Sequence, residues 1–378
     1  MNKKRSIPVC EPLYLGNEEK YASDAIRSRW ISSGGNYIKR FEERFSKFCG
    51  ARYGIATTSG TAALHLALKA TGVKEGDEVI IPDFAMIAVL FAVLYCGAKP
   101  VFVDAEKHTW NMDVAGLEKK ITSRTKAIIP VHTYGHPVNM GPVVKMAKKH
   151  DLYVVEDAAE AHGAQYKGRV CGSIGHIACF SFYANKIITS GEGGMVVTSS
   201  LELAEKCRYY KNLCFPLRGK RDYIHDDLGF NYRMTNVQAA LGLAQLENIN
   251  KFIKRRRDNA KLYTELLKKV PGITLPTEEG YAKNVYWMYG IVIDPVKFGK
   301  TRDELVRALL SSGIDTRYFF KPLHKQGALK KVGLRYKDRY PQAEHLSRSG
   351  LYLPSGSGLT AKEIKYISAK ITEIQGKA

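Results

Sequence analysis

The run FSFYANKIITSGEGG, residues 180–194, contains one lysine, Lys186, between an apolar stretch and a glycine-rich turn, with no second cation in the run. An amine withdrawn from water loses affinity for its proton and becomes a usable nucleophile. A lysine that merely keeps its head in solvent would normally sit among other charged side chains. A second run, VVEDAAEAHG at 154–163, lets an apolar strand deliver Glu156 and Asp157, then Glu160 and His162, into a loop at the strand's C-terminal end. In open α/β sheets that edge is where ligands sit, and a carboxylate there must be solvated or meet a cation. The plainer alternative is a polar loop that caps the next turn.

The third run is TTSGTAA, residues 57–63, between a strand and a helix. Hydroxyls and a glycine at such a junction surround an anion with free N–H groups and the positive helix end, which suits phosphate. Simple capping of the helix by Thr58 or Ser59 would use the same residues. Taken together, a phosphate site at Ser59, Gly60 and Thr61, a carboxylate at Asp157 and an amine at Lys186 fit one cofactor, pyridoxal 5′-phosphate (PLP). An enzyme contributes to that cofactor a lysine Schiff base and an acid on the pyridine nitrogen. No Gly-x-Gly-x-x-Gly stands at the first strand–helix turn and no Gly-x-x-x-x-Gly-Lys-Ser/Thr occurs, so nicotinamide and ATP lose by comparison.

The elements that must position these groups follow from periodicity. Short apolar, β-branched runs at Tyr53–Thr57, Asp77–Pro82, Pro100–Asp104, Lys126–His132, Leu152–Glu156 and Ile177–Tyr183 alternate with helical patterns at Thr61–Ala70, Ile87–Tyr95 and Pro142–His150. That alternation predicts strand–helix crossovers and a largely parallel sheet covered on both faces. Helices are expected at Leu201–Leu213 and Thr235–Asn248, and a long basic one at Phe252–Lys269. Beyond Pro271 the texture changes to a strand at Val285–Asp294, a capped helix at Thr301–Ser311, an extended piece at Thr316–Phe320 and a terminal helix at Ala361–Ile374. The expected organisation is α/β, with a large mixed, mostly parallel sheet domain over 1–250 and a smaller α+β domain over 251–378.

Composition sets the outer limits. The 378 residues are 45% hydrophobic and 25% charged, as in ordinary globular chains. The 58 Lys+Arg against 37 Asp+Glu give a formal charge of +21. These cations are spread along helical segments with few aromatics between them, so the sequence predicts a solvated basic surface that steers anions, with no nucleic-acid partner. Seven scattered cysteines form no Cys-x-x-Cys pair, which predicts reduced thiols, no disulfide framework and no metal site. No 18-residue uncharged apolar stretch occurs and no apolar segment follows the basic start. The expectation is therefore a cytoplasmic protein without a membrane anchor.

With these residues in view, the chain resembles the DegT/DnrJ/EryC1/StrS family of PLP-dependent sugar aminotransferases, of fold type I (aspartate aminotransferase-like), over essentially its whole length. The segments that carry the likeness are TSGTAALHLAL, EDAAEAHGA at 156–164, FSFYANKIITSGEGG, and GFNYRMTNVQAALGLAQLE at 229–247. RWISSGGNYIKRFE at 29–42, the lysine loop and Glu160 bring it nearest to members that aminate a GDP-linked 4-keto-6-deoxy sugar for surface glycans, with glutamate as amino donor.

The resemblance implies Lys186 as the Schiff-base lysine and Asp157 as partner of the pyridine nitrogen. It implies Gly60, Thr61 and Ser181 on the cofactor phosphate, with Asn231 reaching the same phosphate from a neighbouring subunit, hence a homodimer. Glu160 would lie near the ring hydroxyl, while Arg29, Ser32, Ser33 and Asn36 would line the sugar-nucleotide cleft, and His324 (in KPLH) would lie near the substrate. One position departs from the family: Met86 stands where an aromatic residue usually stacks on the cofactor ring. Sulfur can pack on that face too, for about 0.3–1.5 kcal/mol. A small phosphorylated ketone or a keto-cyclitol is the alternative acceptor for the same chemistry.

Overall fold

The computed structural model describes residues 6–217, 219 and 223–376. Its main sheet has seven strands in the spatial order 53–57, 194–198, 177–181, 153–157, 125–128, 78–82 and 99–103. All run parallel except Gly194–Thr198, which is antiparallel to both of its neighbours. The parallel strands are buried on both faces, Glu78–Pro82 and Ile177–Ser181 along their whole length, which is why they appear in sequence as unbroken apolar runs. Gly60–Ala70 is buried nearly all round and packs under the strands 177–181 and 194–198.

Two helices precede this sheet, Glu18–Arg27 and Asn36–Cys49, and both pack on Asn236–Glu247. The second buries Tyr37, Phe41, Phe45 and Cys49, a spacing of four that puts all of them on one helical face. The Phe41 ring lies 4.9 Å from that of Phe182, so this helix backs the start of the lysine loop.

The last third of the chain forms a four-stranded antiparallel sheet in the order 273–274, 289–293, 350–353 and 317–318. Helices Ile249–Leu267, Arg302–Ser311 and Ala361–Gly376 cover it. Its own apolar cluster includes Tyr263, Tyr289, Leu305 and Ile367. Chain order and packing do not divide at one residue, however. Ile7 is buried in this second cluster, bridged to Ile314, whereas Phe319, Leu323 and Tyr340 belong to the main one.

Several local expectations change: the strand expected at Val285–Asp294 spans Tyr289–Ile293, and the extended piece at Thr316–Phe320 pairs only over Arg317–Tyr318. The strand Gly194–Thr198 has no place in the sequence reading, and strand Thr125–Ile128 stops short of the expected His132. Pro130 has no amide to donate and interrupts the ladder, yet pairing resumes beyond it, with Asp157 N–H on Pro130 O at 2.9 Å and His132 N–H on Asp157 O at 3.1 Å. Among the described residues no helix is long and apolar enough to cross a membrane.

Candidate active site

Three strand ends meet at one edge of the main sheet. Strand Tyr53–Thr57 leads into Ser59, strand Tyr153–Asp157 ends on Asp157, and strand Ile177–Ser181 ends on Ser181 before the lysine loop. They enclose a cavity of about 370 Å³ whose walls include Ser59, Gly60, Thr61, Met86, Asp157, Glu160, Ser181 and Lys186. Eight of the residues singled out from sequence are thus brought together.

The helix end is built to receive an anion. Ser59 Oγ accepts the Ala62 amide at 3.1 Å, so the capping reading is correct as far as it goes. The first intrahelical bond is Ala63 N–H to Ser59 O, 3.0 Å. The amides of Gly60 and Thr61 therefore precede the hydrogen-bonded part of the helix and open on the cavity. Ser181 Oγ accepts the Tyr183 amide at 3.3 Å, which leaves its own proton to donate. A Cβ at Gly60 would lie 2.8 Å from Ser181 Cβ, and one at Gly194 would lie 2.2 Å from Ser59 O. Both glycines are therefore needed for backbone to pass this close to the cradle.

The lysine loop is pinned at its base by Phe182 N–H to Gly193 O (2.9 Å) and Ser190 N–H to Phe182 O (3.0 Å). Lys186 Nζ stands 3.7 Å from the centroid of the Trp287 ring. Burial lowers its pKa, with Glu160 and Asp157 pulling it back up and Arg256 pushing it further down. Burial raises Asp157, against the Ala159 amide and the positive charge of Lys186. Glu160 is pushed up to about 7 by burial, although Lys186 and the Tyr134 amide, 2.7 Å from Oε2, oppose that. His162 is fully buried among the rings of Phe45, Phe180 and Phe182, and burial together with Lys186 pushes it down to about 3, so it is neutral there.

PLP fits these groups. Asp157 is only 5% exposed, and its Oδ1 accepts the Ala159 amide at 3.0 Å. A cationic ring N–H would give this cavity-facing acid the partner that burial demands. The free amides at 60 and 61 with the Ser181 hydroxyl suit a phosphate, and the lysine amine stands in the same cavity.

The sequence comparisons agree with this chemistry. A family model described as the DegT/DnrJ/EryC1/StrS aminotransferase family matches residues 15–372. The chain belongs to that family. It is a PLP-dependent aminotransferase of fold type I. It is 42% identical over 367 residues to GDP-perosamine synthase of Escherichia coli O157:H7, across 97% of this chain and 98% of the relative. The solved S. venezuelae DesV superposes with a TM-score of 0.88 at 34% identity, covering 96% of this chain and 95% of that one. Spr1654 of Streptococcus pneumoniae, solved in its PLP form, gives a TM-score of 0.91 at 27% identity, covering 98% and 99%.

The other anticipated residues of this aminotransferase lie off the cavity of their own chain. Arg29, Ser32, Ser33 and Asn36 are exposed, on a segment tied down by Asn236 (N–H to Ser32 O 2.8 Å, Nδ2 to Trp30 O 2.6 Å). Asn231 is exposed on a segment strapped to the cradle by Thr58 N–H to Tyr232 O, 3.1 Å. His324 points away, with Nδ1 2.7 Å from Asp83 Oδ2 and Nε2 3.6 Å from Glu344 Oε1. The His324–Asp83 pair ties the segment carrying Met86 to the one carrying Phe320, and both of those residues line the cavity. The sequence reading missed Trp287, Phe320 and Tyr352, which line the cavity from strand 350–353 and from the chain flanking strands 289–293 and 317–318. An aromatic in a strand-like run signals burial alone, so nothing local pointed to them.

Proposed function

We propose that this aminotransferase moves the amino group of glutamate to the keto carbon of a nucleotide-linked 4-keto-6-deoxy sugar, with a GDP-linked sugar as acceptor, for surface-glycan synthesis. The observation that carries this reading is the end-to-end likeness to GDP-perosamine synthase. Residues 1–250 would hold the cofactor and 251–378 would close over it. Seven unpaired cysteines support a cytoplasmic setting.

Bound PLP supplies an electron sink for the carbanion that transamination requires. In this proposal the Gly60 and Thr61 amides and the Ser181 hydroxyl bind its phosphate, and Asp157 holds the proton on its pyridine nitrogen. Glu160, protonated up to a pH of about 7, offers a hydrogen bond at the ring hydroxyl. Met86, 46% exposed in the cavity wall, packs on the ring face. Lys186 Nζ anchors the cofactor, then accepts and returns the proton that the reaction shifts. A base already in place is worth about 10²–10⁴-fold.

The shared site is part of the proposal. Asn231 of the partner subunit would complete the phosphate cradle, and Arg29, Ser32, Ser33, Asn36 and His324 would border the sugar-nucleotide path. Exposed Tyr95, Leu213, Tyr223 and Leu228 near the segment bearing Asn231 support burial against a second copy.

The deciding experiment offers glutamate with a panel of acceptors and measures 2-oxoglutarate release. The panel holds GDP- and UDP-linked 4-keto-6-deoxyhexoses, a triose phosphate ketone and a keto-cyclitol. Release with the GDP sugar is expected. Release with the triose phosphate or cyclitol alone would overturn the substrate assignment while leaving the chemistry intact. A narrower expectation concerns the cradle. Gly60→Ala forces Ser181 to shift, at about 1–3 kcal/mol, so the cofactor dissociation constant, measured by absorbance titration, should rise roughly tenfold or more.

A further inference from the structure

Besides the two carboxyls, Lys186 has an aromatic neighbour that is itself firmly held. Trp287 is almost completely buried, and both its indole and its main chain are tied down. Its Nε1–H donates to Asn185 O at 2.9 Å, and its carbonyl accepts from Arg256 Nη1. Arg256 is itself buried, with Nε on Ser357 Oγ at 3.0 Å and Nη2 on Cys10 Sγ at 3.4 Å. Cys10 Sγ in turn lies 3.4 Å from Asn185 O, which closes the ring of contacts on the residue next to the reacting lysine. The Lys186 ammonium is centred over the indole face at 3.7 Å, well inside the roughly 6 Å within which a ring attracts a cation.

We propose that Trp287 is the positioning residue of the reacting amine: its indole face receives the Lys186 ammonium whenever the amine is free, Asn185 O holds the indole N–H, and Arg256 holds the main chain that carries the ring. The inference rests on Lys186 being the amine that reacts. The charged and titratable groups around Nζ are Asp157 at the end of its strand, Glu160 and His162 in the loop that follows, Arg256 on helix Ile249–Leu267, and Cys10 on the N-terminal segment. The two carboxyls draw the amine into the cavity, while the ring gives its charged form a resting place that adds no second formal negative charge. An amine that must take up a proton and then release it gains from such a partner, because a carboxylate in the same place would hold the proton too tightly.

The test reads the amine itself in the cofactor-free protein. Lys186 is acetylated with trace acetic anhydride across a pH series, and the labelled peptide is quantified by mass spectrometry. Losing the ring face removes support for the ammonium, so Trp287→Leu should lower the labelling midpoint by about one pH unit, and Trp287→Phe should recover part of the shift. The glutamate half-reaction of the holoenzyme should slow about tenfold in Trp287→Leu. If Trp287→Leu does not fold, fluorinated tryptophans incorporated in the native sequence keep the shape and weaken the face, and the midpoint should fall with each added fluorine. A midpoint that ignores both fluorination and the Leu substitution overturns the proposal. Failure of the underlying reading has a different signature, an active Lys186→Ala protein.

Discussion

Lys186→Ala is expected to lower turnover by at least about 10⁴-fold while leaving the protein folded. The upper range of general-base catalysis alone accounts for about 10⁴, and the same substitution also removes the covalent anchor. The fold should tolerate it. Lys186 lies in a turn whose base is closed by backbone bonds of Phe182, Ser190 and Gly193, and its own amide bonds Tyr183 O at 2.9 Å; none of these needs the side chain. Cofactor should still bind, because the amides of Gly60 and Thr61, the Ser181 hydroxyl and the Asp157 carboxylate remain. Three measurements separate these outcomes. Melting temperature should match the parent, titration should show retained but weaker cofactor binding, and borohydride should no longer attach cofactor to the 180–194 peptide. Near-normal 2-oxoglutarate release by this variant would remove the mechanism.

Much of this site was legible because its chemistry sits at strand ends. The apolar runs expected at Leu152–Glu156 and Ile177–Tyr183 lead into Asp157 and the lysine loop, residues 57–61 form a strand–Ser–Gly–Thr–helix junction, and parallel strands bring such ends to one edge. The strand Gly194–Thr198 was missed altogether, and its apolar run would not have shown that it lies antiparallel to both neighbours. The helix Asn36–Cys49 carried a signal, with aromatics four apart at 37, 41 and 45, in a region whose likeness to relatives drew attention to its exposed start. His324 shows the opposite limit. The family resemblance alone implied a place near the substrate for it, and the partner that fixes its ring, Asp83, lies 241 residues away, beyond the reach of any local pattern. Trp287 and Arg256 escaped for the same reason, because their meaning depends on the second sheet docking over Lys186.

Glu156, beside Asp157, is the residue whose loss should cost the fold most. Each of its carboxylate oxygens accepts two bonds: Oε2 from His132 Nε2 (3.1 Å) and Gly172 N–H (2.9 Å), and Oε1 from Ile174 N–H (2.7 Å) and Gly175 N–H (2.6 Å). His132 Nδ1 accepts the Val138 amide at 3.0 Å, so Nε2 carries the proton it donates. Cys171 completes a cluster of potential metal ligands, yet these bonds occupy both carboxylate oxygens and both nitrogens of the imidazole. The cluster therefore works as a knot joining three strand–loop junctions, one of which delivers Asp157. Glu156→Ala would leave an imidazole N–H and three amides without acceptors in a fully buried place. Leaving a buried donor without an acceptor costs about 1–3 kcal/mol; with four such donors, the melting temperature should fall by on the order of 10 °C. Burial pushes the Glu156 pKa up, but the bonds from His132 and the 172 and 175 amides outweigh it and hold the carboxyl below its ordinary 4.5. The folded state thus favours the ionised form. Its contribution is complete above pH 4.5 and fades as pH falls through the lower folded value. The stability gap between the parent and Glu156→Gln, followed by urea unfolding from pH 7 to pH 3, should therefore be constant at first and narrow below about 4.5. A gap that widens on acidification, or a Glu156→Ala protein as stable as the parent at pH 7, would show that this buried acid is not what holds the Asp157 edge in place.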